Sequence, residues 1–133
     1  MQTMVHGERT LTEIDYARLN KLLGQQHPGH LADWLESAEV TSSRTAPGDL
    51  VTMNSRVEVV DMHTRHRQVL TICYPADAEP AAGLISVLSP VGSSLLGLRA
   101  GDIARWLTPH GEGCAAQITA IQYQPEASGD YTR

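Results

Sequence analysis

Two glycines in "SPVGSSLLGLRAGD" (Ser89 to Asp102), arranged Gly92-x-x-x-x-Gly97, open the pattern of a phosphate-binding loop. Such a loop needs Lys directly after the second glycine to reach the terminal phosphates, then Ser or Thr to hold magnesium. Leu98 and Arg99 occupy those positions, and no β-α-β series surrounds the stretch. Nucleotide binding is therefore disfavoured on chemistry. The glycines read as backbone devices: Gly92 admits a turn into a short helix, Leu95 and Leu96 bury its inner face, and Gly97 ends it. Ser55, Ser89, Ser93 and Ser94 are available nucleophiles, but no Gly-x-Ser-x-Gly elbow presents any of them. His27-x-x-His30 and His63-x-x-His66 have a spacing that metal ligands use. Both pairs fall in segments that read as turns, with no nearby cysteine and no clear third or fourth ligand. Asp33 with Glu36, and Glu36 with Glu39, read as the wet side of a helix. No catalytic residue, metal or cofactor is expected. What remains is "LSPVGSSLLGL", a strand-to-helix loop carrying Pro90, Val91, Leu95, Leu96 and Leu98. A loop this apolar is either tucked onto its own sheet or offered to a partner, and periodicity leaves both open.

Two parts position these residues. In the first, "TLTEIDYARLNKLLGQQ" places Leu11, Ile14, Arg18, Leu19 and Leu22 at helical spacing, a mostly apolar stripe behind Thr10-x-x-Glu13, which reads as a capping box. Gly24 and Pro28-Gly29 break the pattern, and "HLADWLESAEV" resumes it with Leu31, Trp34, Leu35 and Ala38 on one face. The expectation is a short antiparallel helical hairpin over residues 1–49, closed by the polar connector "TSSRTAPGD". Neither helix is stable alone at such lengths, so their apolar faces must pack on each other or on the second part.

In that second part, residues 50–133, the period becomes strand-like. "VEVVD" (Val57 to Asp61) and "RQVLTICYP" (Arg67 to Pro75) form a hairpin by pattern, and "LISVLS" (Leu84 to Ser89) is a third strand. "DIARWLT" and "CAAQITAIQYQ" are two more, joined at "PHGEG". The class is α+β: about five strands with one short helix near "VGSSLLG". The tail "PEASGDYTR" reads as loosely held.

Composition narrows the function. Residues 1–49 carry four Lys/Arg against seven Asp/Glu, and residues 50–133 six against eight. Neither part has the cationic excess that counterion-release binding to nucleic acid requires, so direct specific nucleic-acid binding is not expected. No apolar run approaches the length of a membrane span, and the polar start from Met1 to Thr10 has no secretory h-region, so a soluble cytoplasmic protein is expected. Cys73 and Cys114 lie far apart in apolar segments and read as small buried hydrophobes.

"VTMNSRVEV", "TICYPADA", "ISVLSPVGSSLLGLRAGD" and "YQPEASGDY", in that order and spacing, resemble the Rnk proteins, regulators of nucleoside diphosphate kinase and relatives of the Gre transcript-cleavage factors. The resemblance spans about Leu50 to Tyr131. It implies an FKBP-like antiparallel β-sheet domain, with the short hairpin standing for the long Gre coiled coil. It also implies a partner, bacterial RNA polymerase, docked at the rim of the secondary channel. Carried over by position, the docking residues are Leu88, Ser89, Pro90, Val91 and Gly92, with Leu88 standing where Gre factors tend to have a polar residue. The Gre acidic pair is missing from the hairpin tip "GQQHPGH". A helix of about 14 residues rises only about 20 Å, short for reaching the active centre. The resemblance thus implies a monomeric, non-enzymatic regulator that competes with Gre factors. The alternatives are an active cleavage factor and, from the FKBP-like fold alone, a peptidyl-prolyl isomerase. Fold does not carry activity with it, and aromatic side chains for an isomerase pocket are scarce here.

Overall fold

The computed structural model describes residues 9–24, 35 and 38–129. Along the chain run β1 (Thr10–Thr12), α1 (Glu13–Leu23), β2 (Glu39–Thr41), β3 (Arg56–Asp61), β4 (Arg67–Cys73), β5 (Leu84–Ser86), α2 (Pro90–Leu95), β6 (Ile103–Leu107) and β7 (Gly113–Tyr123).

The first helix starts later than its pattern suggests. Thr10, the expected cap, lies in β1 and pairs with Glu39 of β2, and the two short strands run parallel. That pairing holds residues 10–12 extended, so the helix begins only after Thr12. The Thr12 hydroxyl accepts the Asp15 N–H at 3.1 Å, making Thr12-x-x-Asp15 the working cap. Gly24 ends the helix as expected, its N–H returning to the Asn20 carbonyl at 3.0 Å. The expected second helix falls largely outside the described residues. Its last positions, Glu39 and Val40, are strand and not helix, so Glu39 cannot share a helix face with Glu36.

β3 and β4 form the expected hairpin, from Val57 opposite Leu70 to Val60 opposite Arg67. The five-stranded sheet has the order β5-β4-β3-β7-β6. It is mixed, which corrects the all-antiparallel expectation: β5 runs parallel to β4, with Ile72 opposite Ile85. The cause lies in the connection. Pro75 ends β4, and 3-10 turns at Pro75–Asp77 and Pro80–Ala82 carry the chain back before Gly83, at φ +83°, turns it into β5. β5 itself stops at Ser86, short of the expected Ser89.

Val57, Val59, Leu70, Ile72, Ala104, Ala116 and Ile118 point to one buried face of the sheet, where Leu95 of α2 and Leu96 just after it cover them. Leu11, Leu19 and Leu35 of the first part join the same core. α1 therefore gains its stability from burial of Leu19, worth about 1.5–3 kcal/mol for such a side chain, which an 11-residue helix in water lacks. The chain just past β7 is tied to the connector and the residues that follow it, and with it Glu126 of the tail expected to be loose. The Gln124 amide donates to the Pro47 and Leu50 carbonyls, both at 2.7 Å, and Glu126 accepts the Thr52 hydroxyl at 2.7 Å. Among the described residues no helix is long and apolar enough to cross a membrane.

Candidate protein-docking surface

The five residues singled out by sequence come together at the entrance to α2. Ser89 is the N-cap: its hydroxyl accepts the Gly92 N–H at 3.0 Å and donates to the Ser86 carbonyl at 2.7 Å. Ser86 in turn accepts the Leu88 N–H on its own hydroxyl at 3.0 Å. Pro90 takes the first helical position, where a missing N–H costs nothing and a fixed φ is an advantage. Leu88, Ser89, Pro90 and Val91 are half-buried and Gly92 is buried, so the loop presents one side to solvent.

Gly92 sits inside the helix and not at its mouth, which corrects its expected turn role. A Cβ there would run into the Ser86 carbonyl oxygen and stand 2.8 Å from the Ser86 carbonyl carbon and 3.1 Å from the Val87 Cα. Only glycine lets the helix lie this close to the end of β5. Gly97 behaves as expected, at φ +84° just after the helix.

The serines weighed as nucleophiles are occupied by the backbone. Ser93 and Ser94 donate to the Pro90 and Val91 carbonyls at 3.3 and 2.7 Å, and Ser55 accepts the Thr52 N–H at 2.9 Å. Their hydroxyls hold the fold together. His63 and His66 are exposed in the β3–β4 turn, while His27 and His30 lie outside the described residues. Among the described residues no three ligands gather for a metal. Cys73 is buried, as expected, and burial pushes its thiol pKa up; Cys114 is only half-buried.

Beside the loop, α2 and the buried sheet face enclose a cleft of about 520 Å³. Val91 and Leu95 form one wall; Val59, Leu70, Ile85 and Trp106 supply much of the rest. Asp61, Thr64, His66 and Gln68 give it a polar margin. The Asp61 carboxylate accepts the His63 and Thr64 N–H groups, each at 2.8 Å, and these bonds hold its pKa below the usual carboxylate range. The margin is therefore anionic at neutral pH. Past Trp106 the cleft meets an open depression of about 870 Å³ between the β3–β4 turn and the β6–β7 hairpin. Met62 and Leu107, exposed by 37% and 54%, line it together with Asp61, His63, Thr64, Arg105 and Glu112. The sequence pattern points to Val91 but not to the rest of the cleft. The inward residues follow the period-two alternation of β3, β4 and β6, but only strand order shows that they face α2. Trp106 is the one aromatic side chain among the described lining residues, a poor match to the aromatic pocket expected of a prolyl isomerase.

The family model for the C-terminal domain of the GreA/GreB transcription elongation factors matches residues 46–123, a span that contains the loop and the described cleft lining. The chain belongs to the GreA/GreB family. Within it, the chain is similar to the regulator of nucleoside diphosphate kinase of Escherichia coli K12, at 38% identity over 127 residues, covering 91% of this chain and 93% of that one. The GreA of Orientia tsutsugamushi (strain Boryong) is 31% identical over 111 residues, 84% of this chain and 69% of its own length. The structure of a GreA/GreB elongation factor from Nitrosomonas europaea superposes with a TM-score of 0.72 at 35% identity, covering 87% of this chain and 98% of that one. GreA factor homolog 1 of Thermus thermophilus shares the fold, with a TM-score of 0.51 at 23% identity over 87% of this chain and 99% of its own. The Rnk-like resemblance read from the motifs holds, and the chain is a transcription-related regulator by family.

Proposed function

We propose that this protein binds bacterial RNA polymerase at the rim of its secondary channel, through Leu88, Ser89, Pro90, Val91, Gly92 and the adjoining cleft. The observation that carries this reading is a half-exposed loop set against a largely apolar cleft, with the Ser89 hydroxyl committed to the Ser86 carbonyl and the Gly92 N–H. Such a surface suits capture of an apolar segment of a large protein and offers no nucleophile. The part comprising residues 50–133 does the docking, and the helical part, residues 1–49, stands at the channel mouth. α1 has 11 residues and so spans only about 16 Å, and the tip sequence "GQQHPGH" has no carboxylate to hold a catalytic magnesium. The protein is then a monomeric cytoplasmic regulator that cleaves no transcript itself and acts by excluding longer channel-binding factors.

The test is co-migration of labelled protein with core RNA polymerase, followed by addition of a Gre factor. Binding that the Gre factor displaces is expected, and Pro90→Ala weakens it while leaving the fold intact. Absence of co-migration, or binding indifferent to the Gre factor, overturns the proposal. Shortened RNA on adding the protein to a backtracked elongation complex would instead identify a cleavage factor.

A further inference from the structure

α2 has six residues, so most of its carbonyls lie in its last turn, where intrahelical partners run out. Two carbonyls at this end, those of Ser93 and Leu96, receive Nη1 of Arg9 at 3.0 and 2.8 Å. Arg9 stands immediately before β1, and the joint around it is tight. The Thr10 N–H donates to the Gly97 carbonyl at 3.1 Å, and the Glu39 N–H of β2 donates to the Arg9 carbonyl at 2.8 Å. A Cβ on Gly97 would stand 3.2 Å from the Arg9 Cβ and 3.3 Å from the Thr10 backbone. A cation at a helix C-terminus is favourable. Burial lowers the Arg9 pKa to about 10 against the opposing charge of Asp102, so the side chain stays cationic at neutral pH.

We infer that Arg9 is a positioning residue for the docking surface: it clamps the C-terminal end of α2 to the β1–β2 pair and thereby fixes the pose of Ser89–Gly92 and of the Val91–Leu95 wall. The inference rests on the reading of that loop and cleft as the polymerase contact. The coupling is mechanical. The Ser86–Ser89 hydrogen bonds fasten α2 at its N-terminal end. At the other end Arg9 adds to the Gly97 N–H bond to the Val51 carbonyl at 2.9 Å and the Thr10 N–H bond to the Gly97 carbonyl. Without Arg9 the Ser93 and Leu96 carbonyls lose their side-chain partner, and the last turn of α2 is held by Gly97 and the buried Leu95 and Leu96. That loosens the wall that Val91 and Leu95 present to Trp106 and Leu70. The first part of the chain then contributes to binding through the shape of the docking surface, beyond any bulk it places at the channel.

Arg9→Met keeps an unbranched apolar stem and removes both bonds, which come from the one nitrogen Nη1; Arg9→Lys keeps the charge but carries its nitrogen one bond short of that position. Affinity for core RNA polymerase is measured well below the unfolding temperature of each variant, with residue-resolved amide hydrogen exchange on the same proteins. Arg9→Met is expected to bind about tenfold more weakly. Amides of α2 should exchange faster while those of β3 and β7 keep their wild-type rates. Arg9→Lys should fall between, and it carries the test alone if the methionine variant does not fold. Wild-type binding with both variants within about twofold of it overturns this inference alone. Exchange that quickens equally in α2 and the sheet does the same, because it assigns Arg9 to general stability. Wild-type protein that fails to bind polymerase overturns the docking reading and this inference with it.

Discussion

Gly92→Ala sets two effects of known size against each other. Alanine in a helix is ordinarily better than glycine by about 1 kcal/mol, and α2 contains Gly92 at its third position. The new methyl, however, meets main chain: the Ser86 carbonyl group, and the Val87 Cα at 3.1 Å. Neither can rotate aside as a side chain would. Val87 is itself fixed by its N–H to the Cys73 carbonyl at 2.9 Å, so the helix must lift. Lifting stretches the Ser89 hydroxyl bond to the Ser86 carbonyl and the Gly92 N–H bond to Ser89, the two contacts that cap α2. Overpacking a filled site costs about 1–3 kcal/mol, and loss of an N-cap about 1 kcal/mol. Set against the propensity gain, the net loss is about 1–3 kcal/mol, or about 4–11 °C in Tm for a chain of this size. Thermal unfolding followed by far-ultraviolet circular dichroism reads this directly. A Tm equal to or above that of wild type would mean that propensity wins and that the close approach of α2 to β5 is not binding on the fold.

Two further outcomes concern the first part of the chain. Burial raises the Asp15 pKa from 3.8 to about 6, with the Glu126 charge adding to it and the Met53 and Thr12 hydrogen bonds opposing. The folded state therefore holds the proton more tightly than the unfolded chain, and this contribution, full below pH 3.8, is lost as pH rises to about 6. Asp15→Asn keeps an acceptor for the Met53 N–H and should flatten this slope, gaining about 1–2 kcal/mol near pH 7; parallel pH–stability curves for the two proteins would refute it. Thr12→Ala should cost about 1 kcal/mol in urea unfolding, with Thr12→Ser near wild type. Thr10→Ala should cost less than Thr12→Ala, and the reverse order would restore Thr10 as the cap.

Elements with a strong local signal were legible. The β3–β4 hairpin, β6 and β7 follow from alternation, and α2 follows from a small apolar helix pattern ended by Gly97. β1 and β2 were not, because three residues are too few to show a period. Their pairing also moved the cap from Thr10, the residue the capping box pointed to, to Thr12. The direction of β5 was hidden because side-chain alternation is the same in parallel and antiparallel strands. For the site, the loop was visible as Ser-Pro before a helix. The cleft was not: its walls come from β3, β4, β5, β6, β7 and α2, and only the sheet order brings them together. Arg9 left no trace at all in local pattern, since its acceptors lie 84 and 87 residues further along the chain.

Docking is met most directly by site-specific photocrosslinking to core RNA polymerase, with the photoreactive residue placed at Pro90 or at Thr119. Pro90 lies in the loop; Thr119 is exposed on β7 and accompanies Glu58 on the other face of the sheet, where its hydroxyl meets the Glu58 carboxylate at 2.8 Å. A polymerase adduct from position 90 that excess Gre factor suppresses is expected, with none from position 119. An adduct from position 119 with none from position 90 would show that the opposite face of the sheet makes the contact and that the loop does not.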